Sequence, residues 1–146
     1  MGKINVSRVI LGGLLAGVVI NLSEFLVNGV WLMDDWNAAM MALNKPGGFG
    51  GLQIATLNSW GFAVGIAAIW LYAAIRPRFG PGPRTALIAG LATWIIGYLL
   101  SGIPGISMGL FPAWLMVIGI CAGVVEVLIG ALLGAWVYKE GPAVAG

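Results

Sequence analysis

The sequence predicts an all-α membrane protein: a four-helix transmembrane bundle with a short interfacial helix in its first outer loop. Three observations predict it. Hydrophobic residues make up 60% of the 146 and charged residues only 8%, against about 25% charged in a soluble domain. So few charges cannot cover a water-facing surface, and the mean hydropathy of +1.01 agrees. Four apolar stretches, at about 8–30, 54–75, 85–102 and 113–138, approach the roughly 20 residues a helix needs to cross hydrocarbon. Basic residues fall almost wholly on one side of that arrangement. The chain is short enough to be one membrane domain, 1–146.

The first stretch follows Lys3 and Arg8. No small-residue cleavage site follows its apolar run, and 21–28 continues in helical register, so it reads as an uncleaved anchor. In the loop beyond it, Asp34 or Asp35 can cap a short helix from Trp36 to Asn44. Lys45-Pro46-Gly47-Gly48 ends that helix. Trp31, Trp36, Met40, Met41 and Leu43 suit a helix lying on the membrane surface. The glycines from Gly47 to Gly51 lack the Gly-Lys-Ser/Thr ending of a phosphate loop and read as a hinge.

The second stretch carries a small-residue packing face, Gly61, Gly65 and Ala68. The turn from Arg76 to Arg84 contains three prolines, expected to stop the second helix and start the third. The third stretch is short. The uncharged segment Gly102–Pro112 behind it can dip into the membrane where protein covers it. The fourth is long enough to tilt.

Lys3, Arg8, Arg76, Arg78, Arg84 and Lys139 share one side of a four-pass topology, and Lys45 alone takes the other. This six-to-one bias puts both termini in the cytoplasm. It also argues against a dual-topology chain.

Composition excludes much chemistry. There is no His, which removes Ser-His and Cys-His pairs and the usual zinc ligand. Cys121 is the one cysteine, so an intrachain disulfide is impossible, and it reads as a small hydrophobe. The net charge of +2 is too small to suggest nucleic acid. Asp34 and Asp35 are adjacent, so on a helix they diverge and form no catalytic dyad. No catalytic, cofactor-binding or metal-binding residue is expected, and no cofactor. Six of the seven tryptophans (Trp31, Trp36, Trp60, Trp70, Trp114, Trp136) sit near span ends as an aromatic belt; Trp94 is deep.

What remains is polar residues inside spans. Glu24 in the first and Glu126 in the fourth each cost roughly 2.5–3.5 kcal/mol at a helix centre. No Lys or Arg lies within a span to pair with them. Each must be protonated, hydrogen-bonded, or matched by a cation or a partner. Gly13, Gly17, Asn21, Glu24 and Asn28 share one helix face, as do Gly119, Gly123, Glu126, Gly130 and Gly134. Small residues let helix backbones approach closely, so the first and fourth helices are expected to pack along these faces, bringing the two carboxyls together. The candidate site is Glu24, Glu126, Asn21 and Asn28, with Asn58, Ser59, Thr93 and Tyr98 as further partners. Two readings stay open: a proton- or cation-linked site, or protonated carboxyls acting as packing glue.

Three pieces carry a resemblance. They are the glycine-rich first span with its polar 21–28 end, the Ile69–Pro83 turn region, and the Gly-Ala-Trp-Val-Tyr-Lys-Glu ending of the last span. In these the chain resembles small bacterial inner-membrane proteins, four-helix domains of unknown function. The resemblance implies fold and location, and no activity. A looser likeness to small multidrug transporters rests on four spans and a Glu in the first; the charge bias and the absence of a charged short first loop depart from it. The expected role is a small structural or accessory subunit of a larger membrane assembly, not an enzyme. The alternative is a proton-coupled carrier of a small solute through Glu24 and Glu126. Either one needs the lipid bilayer and a homo-oligomer or other membrane subunits.

Overall fold

The computed structural model describes residues 4–45 and 47–140. Lys3 and Pro46, used in the sequence reading, lie outside them. The described residues form helices α1 (Val6–Trp31), α2 (Met33–Ala42), α3 (Gly51–Phe79), α4 (Pro83–Ser107) and α5 (Ala113–Val137). All but α2 are long and apolar enough to cross a membrane. They pack side by side, α1 against both α3 and α5, and α4 against α3 and α5.

Local chemistry sets the ends. Asn5 caps α1, its Oδ1 accepting from the Arg8 N–H at 3.2 Å. Asp34 and Asp35 do not cap α2. They stand inside its first turn, where negative charge suits the positive end of the helix dipole, so α2 starts three residues earlier than expected. Pro77 does not stop α3. In the last turn a proline forfeits only its own N–H bond, and the helix runs on to Gly80, whose φ of 82° breaks it. Pro83 does start α4, at its first turn. The Thr85 hydroxyl closes the turn, donating to the Gly80 carbonyl at 2.7 Å.

The third span is not short: α4 continues through Pro104 to Ser107, which leaves no long dipping loop. Pro104 has no N–H for the Leu100 carbonyl, and the turns just before it, Ile95–Leu100, widen to π-helical winding. The Ser101 hydroxyl donates to the loosened Gly97 carbonyl. A second π-helical stretch, Phe25–Trp31, ends α1.

The glycine faces divide differently from the expectation. Gly13 and Gly17 face α3, not α5: a Cβ on Gly65 would stand 2.5 Å from the Gly13 carbonyl and from the Gly17 nitrogen. The helix turn one residue over makes the α1–α5 contact. A Cβ on Gly12 would stand 2.5 Å from the Gly134 carbonyl, and one on Gly130 3.1 Å from the Ala16 carbonyl. Gly123 faces the Tyr98 ring on α4, and Gly119 faces open space. One helix cannot meet two neighbours with one stripe, so α1 uses adjacent stripes for α3 and α5.

The core is firmest at the arginine-bearing end. Val9, Ala16, Ile69, Tyr72, Ala73, Ala86, Ala89 and Tyr138 cluster there. Tyr138 gathers several partners. It stacks edge-on against Tyr72 at 5.8 Å and accepts from the Asn5 N–H at 3.4 Å. The Arg76 guanidinium lies 5.7 Å over its ring and pairs with Glu140 at 2.8 Å. At the α2 end the packing is looser. Every residue of α3 from 51 to 60 is exposed, and a cleft opens there. Cys121, expected to be an interior hydrophobe, is exposed on α5.

Candidate functional site

Glu24 sits at the last α-helical turn of α1, where the winding widens. Glu126 sits mid-way along α5 and is 1% exposed. Their carboxyl groups lie against each other, with the Ser23 hydroxyl beside Glu126. The expected pairing of the two acids is therefore present, although the glycine stripes that suggested it mostly serve other contacts.

Each acid has a neutral partner. The Tyr98 hydroxyl, on the π-helical turn of α4, donates to Glu126 Oε1 at 2.6 Å. The second oxygen, Oε2, is buried without a hydrogen-bond partner among the described residues. The Asn28 amide, one turn beyond Glu24, donates to Glu24 Oε2. The Asn28 carbonyl oxygen accepts from Trp36 Nε1 at 2.9 Å, so α2 fixes which way the amide points. Neither acid has a Lys or Arg salt-bridge partner among the described residues.

The electrostatics follow directly. Two carboxylates side by side in a low-dielectric interior repel, and both cannot remain charged unless something positive stands between them. A buried oxygen without a donor is costly, by about 1–3 kcal/mol or more for a charged group. One proton shared by the pair, or one cation held by it, meets both demands.

The pair borders a cleft of about 270 Å³ lined by Glu24, Asn28, Trp36, Trp60, Tyr98 and Ser101, among others. The Trp60 and Tyr98 rings stand 4.9 Å apart, inclined at 58°. Aromatic faces and carboxylates both attract cations. Glu24 faces this cleft while Glu126 lies behind it, screened by Tyr98 and Glu24.

Of the sequence candidates, Glu24, Glu126, Asn28 and Tyr98 come together. Asn21 does not join them: its amide donates to the Gly17 carbonyl at 2.9 Å and to the Asn58 carbonyl at 3.1 Å, tying α1 to α3. Asn58 takes part through its backbone alone. The Ser59 and Thr93 hydroxyls each bond back to their own helix, at 2.8 and 2.9 Å. Trp94, the deep tryptophan, donates to the Ile120 carbonyl at 2.9 Å and packs with Ile20 and Val127. Trp36, Trp60 and Ser23 were missed. The two tryptophans sit at span ends, where a belt position and a cleft position look alike. Ser23 carried no signal beyond adjacency to Glu24.

These features define a class: a multi-helix chain with four helices apolar enough for a membrane and a pair of acids, Glu126 buried and Glu24 half-buried against an aromatic cleft. Comparison of the chain with family models, with characterised proteins and with solved structures gives no match.

Proposed function

We propose that this chain is an integral membrane protein that binds a proton or a small organic cation, in exchange, at Glu24 and Glu126, and carries that cation across the bilayer against protons. The observation that carries the reading is the Glu126 carboxyl, 1% exposed as a residue and held against a second carboxyl with no Lys or Arg partner for either among the described residues. Packing glue needs one satisfied hydrogen bond, as Tyr98 already supplies. A second acid held against the first adds cost unless a positive species occupies the site.

An accessory subunit would pack against its assembly through glycine faces free to meet other chains. Gly12, Gly13, Gly17, Gly65, Gly130 and Gly134 are instead in contact within this chain. What favours a partner is the exposed 51–60 stretch of α3, which carries Gln53, Thr56, Asn58 and Ser59. A second copy or another membrane chain would cover those polar groups. Gentle solubilisation separates the cases: only identical chains suit an oligomeric carrier, and a fixed set of other chains suits the subunit.

Location belongs to the same proposal. The bacterial inner membrane, cytoplasmic ends and an interfacial α2 are supported by the basic bias and by exposed Trp31, Met33 and Met41 on and beside α2. A reporter active only outside the cytoplasm should work when fused after Lys45 and fail when fused after Lys139. The reverse pattern would discard the orientation.

Binding is tested with tetramethylammonium and purified protein in a weakly buffered medium. The expected result is uptake of the cation with release of about one proton, lost in both Glu24→Gln and Glu126→Gln. Cation binding that both variants retain would discard the acid pair as its site.

A further inference from the structure

The outer face of α3 and α4 holds a groove of about 440 Å³, lined by Ala63, Ala67, Trp70 and Leu71 on α3 and by Thr93 and Ile96 on α4, among others. Ala63, Ala67, Trp70 and Ile96 are exposed, and in a membrane that surface meets lipid tails, not water. The Thr93 hydroxyl is bonded to its own helix at 2.9 Å, which leaves the walls largely apolar. An acyl chain gains little there over the surrounding lipid, which is equally apolar. Whatever selects an occupant must therefore lie at an end of the groove.

One end is basic. Ala67, Leu71, Ala74 and Arg78 follow a four-three-four spacing on α3, which is one helix face, so Arg78 continues the groove wall toward the turn. Arg84 stands in the first turn of α4, the other wall, with no acid in that turn to offset the helix dipole. The Thr85 hydroxyl, donating to the Gly80 carbonyl at 2.7 Å, holds the two helix ends together. A Cβ on Gly80 or Gly82 would meet nothing within 4 Å, so the turn is uncovered among the described residues. Arg78 and Arg84 are exposed, and neither has an acid partner among the described residues. Arg76, by contrast, turns to Glu140 and Tyr138. At about 1.5 Å per residue, Ala67 lies roughly 16 Å along α3 from Arg78, and Thr93 roughly 14 Å along α4 from Arg84. Half of a hydrocarbon core is about 15 Å, the depth one acyl chain reaches from its headgroup.

We propose that this face binds an anionic glycerophospholipid of the leaflet on the arginine-bearing side: Arg78 and Arg84 hold its phosphate, and one acyl chain lies in the groove past Leu71 to Ala67 and Thr93. Charge complementarity assigns the head. Guanidinium groups take phosphate oxygens in paired hydrogen bonds, and basic residues at this depth attract anionic lipid, whereas a zwitterionic head brings a cation of its own. The match of depths assigns the chain. Topology alone calls for basic residues anywhere on this side, a need that Arg8 and Lys139 serve equally well. What makes a site is the placing of two unpaired arginines at the mouth of a groove one leaflet deep. The acid pair takes no part, so the inference stands apart from the cation-exchange reading.

The test places the purified protein in phosphatidylcholine vesicles carrying a trace of photoactivatable lipid. The reactive group sits midway along one acyl chain, and the head is either phosphatidylglycerol or phosphatidylcholine. Modified residues are mapped by mass spectrometry. The anionic lipid should label the groove around Ala67, Leu71 and Thr93 several-fold above the zwitterionic one. Arg78→Gln combined with Arg84→Gln should abolish that difference. Arg8→Gln, which removes a like charge on the same side but on α1, should leave it intact. Excess inorganic phosphate should compete no better than chloride at the same ionic strength. Equal labelling by the two lipids would mean that any chain occupies the groove, and no labelling by either would mean that another chain covers it. An equal fall in the Arg8→Gln protein would mean bulk charge and not a site, and competition by phosphate would mean that the turn holds a soluble anion. Each of these overturns the proposal. The comparison of the two lipids on the parent protein depends on no variant folding, and tetramethylammonium-linked proton release in the same preparation reports on the acid pair separately.

Discussion

At the scale of single residues, Tyr98 is the hinge between packing and chemistry. Its hydroxyl donates to Glu126 Oε1 at 2.6 Å, and its ring fills the space that Gly123 leaves on α5. Tyr98→Phe should keep the ring packing and strand the acid, lowering stability by about 1–3 kcal/mol. Thermal unfolding in one detergent measures this. Combined with Glu126→Gln, the two changes should be non-additive by about 0.5–3 kcal/mol; simple additivity would show that the bond contributes nothing. Tyr98 was legible in the sequence only as one of several polar residues that could reach a carboxyl. Its selection over Thr93 and Ser59 came from hydroxyl reach: short hydroxyls on a helix bond back to their own carbonyls, as both do here, while a tyrosine extends past its own backbone. Asn21 was misjudged for a related reason. It shares the stripe of Glu24, but a short amide four residues from an open glycine carbonyl finds that carbonyl first.

At the scale of helices, composition and periodicity revealed the long elements and not their partners. The four apolar stretches and the two acids were visible because hydrocarbon imposes length and polarity rules that a reader can count. Which glycine faced which neighbour was not. Gly12 and Gly13 are adjacent in sequence and differ only in the direction of a missing side chain, and one meets α5 while the other meets α3. The full length of α4 was hidden by Pro104, which reads as a stop and acts as a widening of the helix. Contact and open glycines should now separate cleanly. Gly65→Leu, whose Cβ would meet backbone atoms of α1 at 2.5 Å, should force the helices apart and prevent stable accumulation, since backbone cannot move aside as a side chain can. Gly119→Leu, with nothing within 4 Å, should accumulate like the parent chain. Quantifying both proteins in the membrane fraction decides the matter, and equal loss in the two would refute the assigned contacts.

At the scale of the whole molecule, one end is bound tightly and the other opens. Tyr138 links the start of α1, the end of α3 and the end of α5. Tyr138→Ala should cost about 2–5 kcal/mol, the range for deleting a large buried side chain, whereas Tyr138→Phe keeps the stacking and should cost about 1 kcal/mol or less. Comparable losses in the two would mean that the hydroxyl, not the ring, holds that end. The same geometry has a consequence for how the protein is made. A ribosome delivers α1 first, and α1 carries Asn21, Glu24 and Asn28 into the bilayer. Glu126, the acid that faces Glu24, arrives on α5, at the other end of synthesis. Through most of translation the young helix therefore holds an acid in lipid with no acid partner beside it, and quality-control proteases that recognise exposed polar groups have that whole interval in which to act. Pulse-labelled chains cut off after α4 should be degraded several-fold faster than full-length ones, and Glu24→Leu in the truncated chain should restore their lifetime.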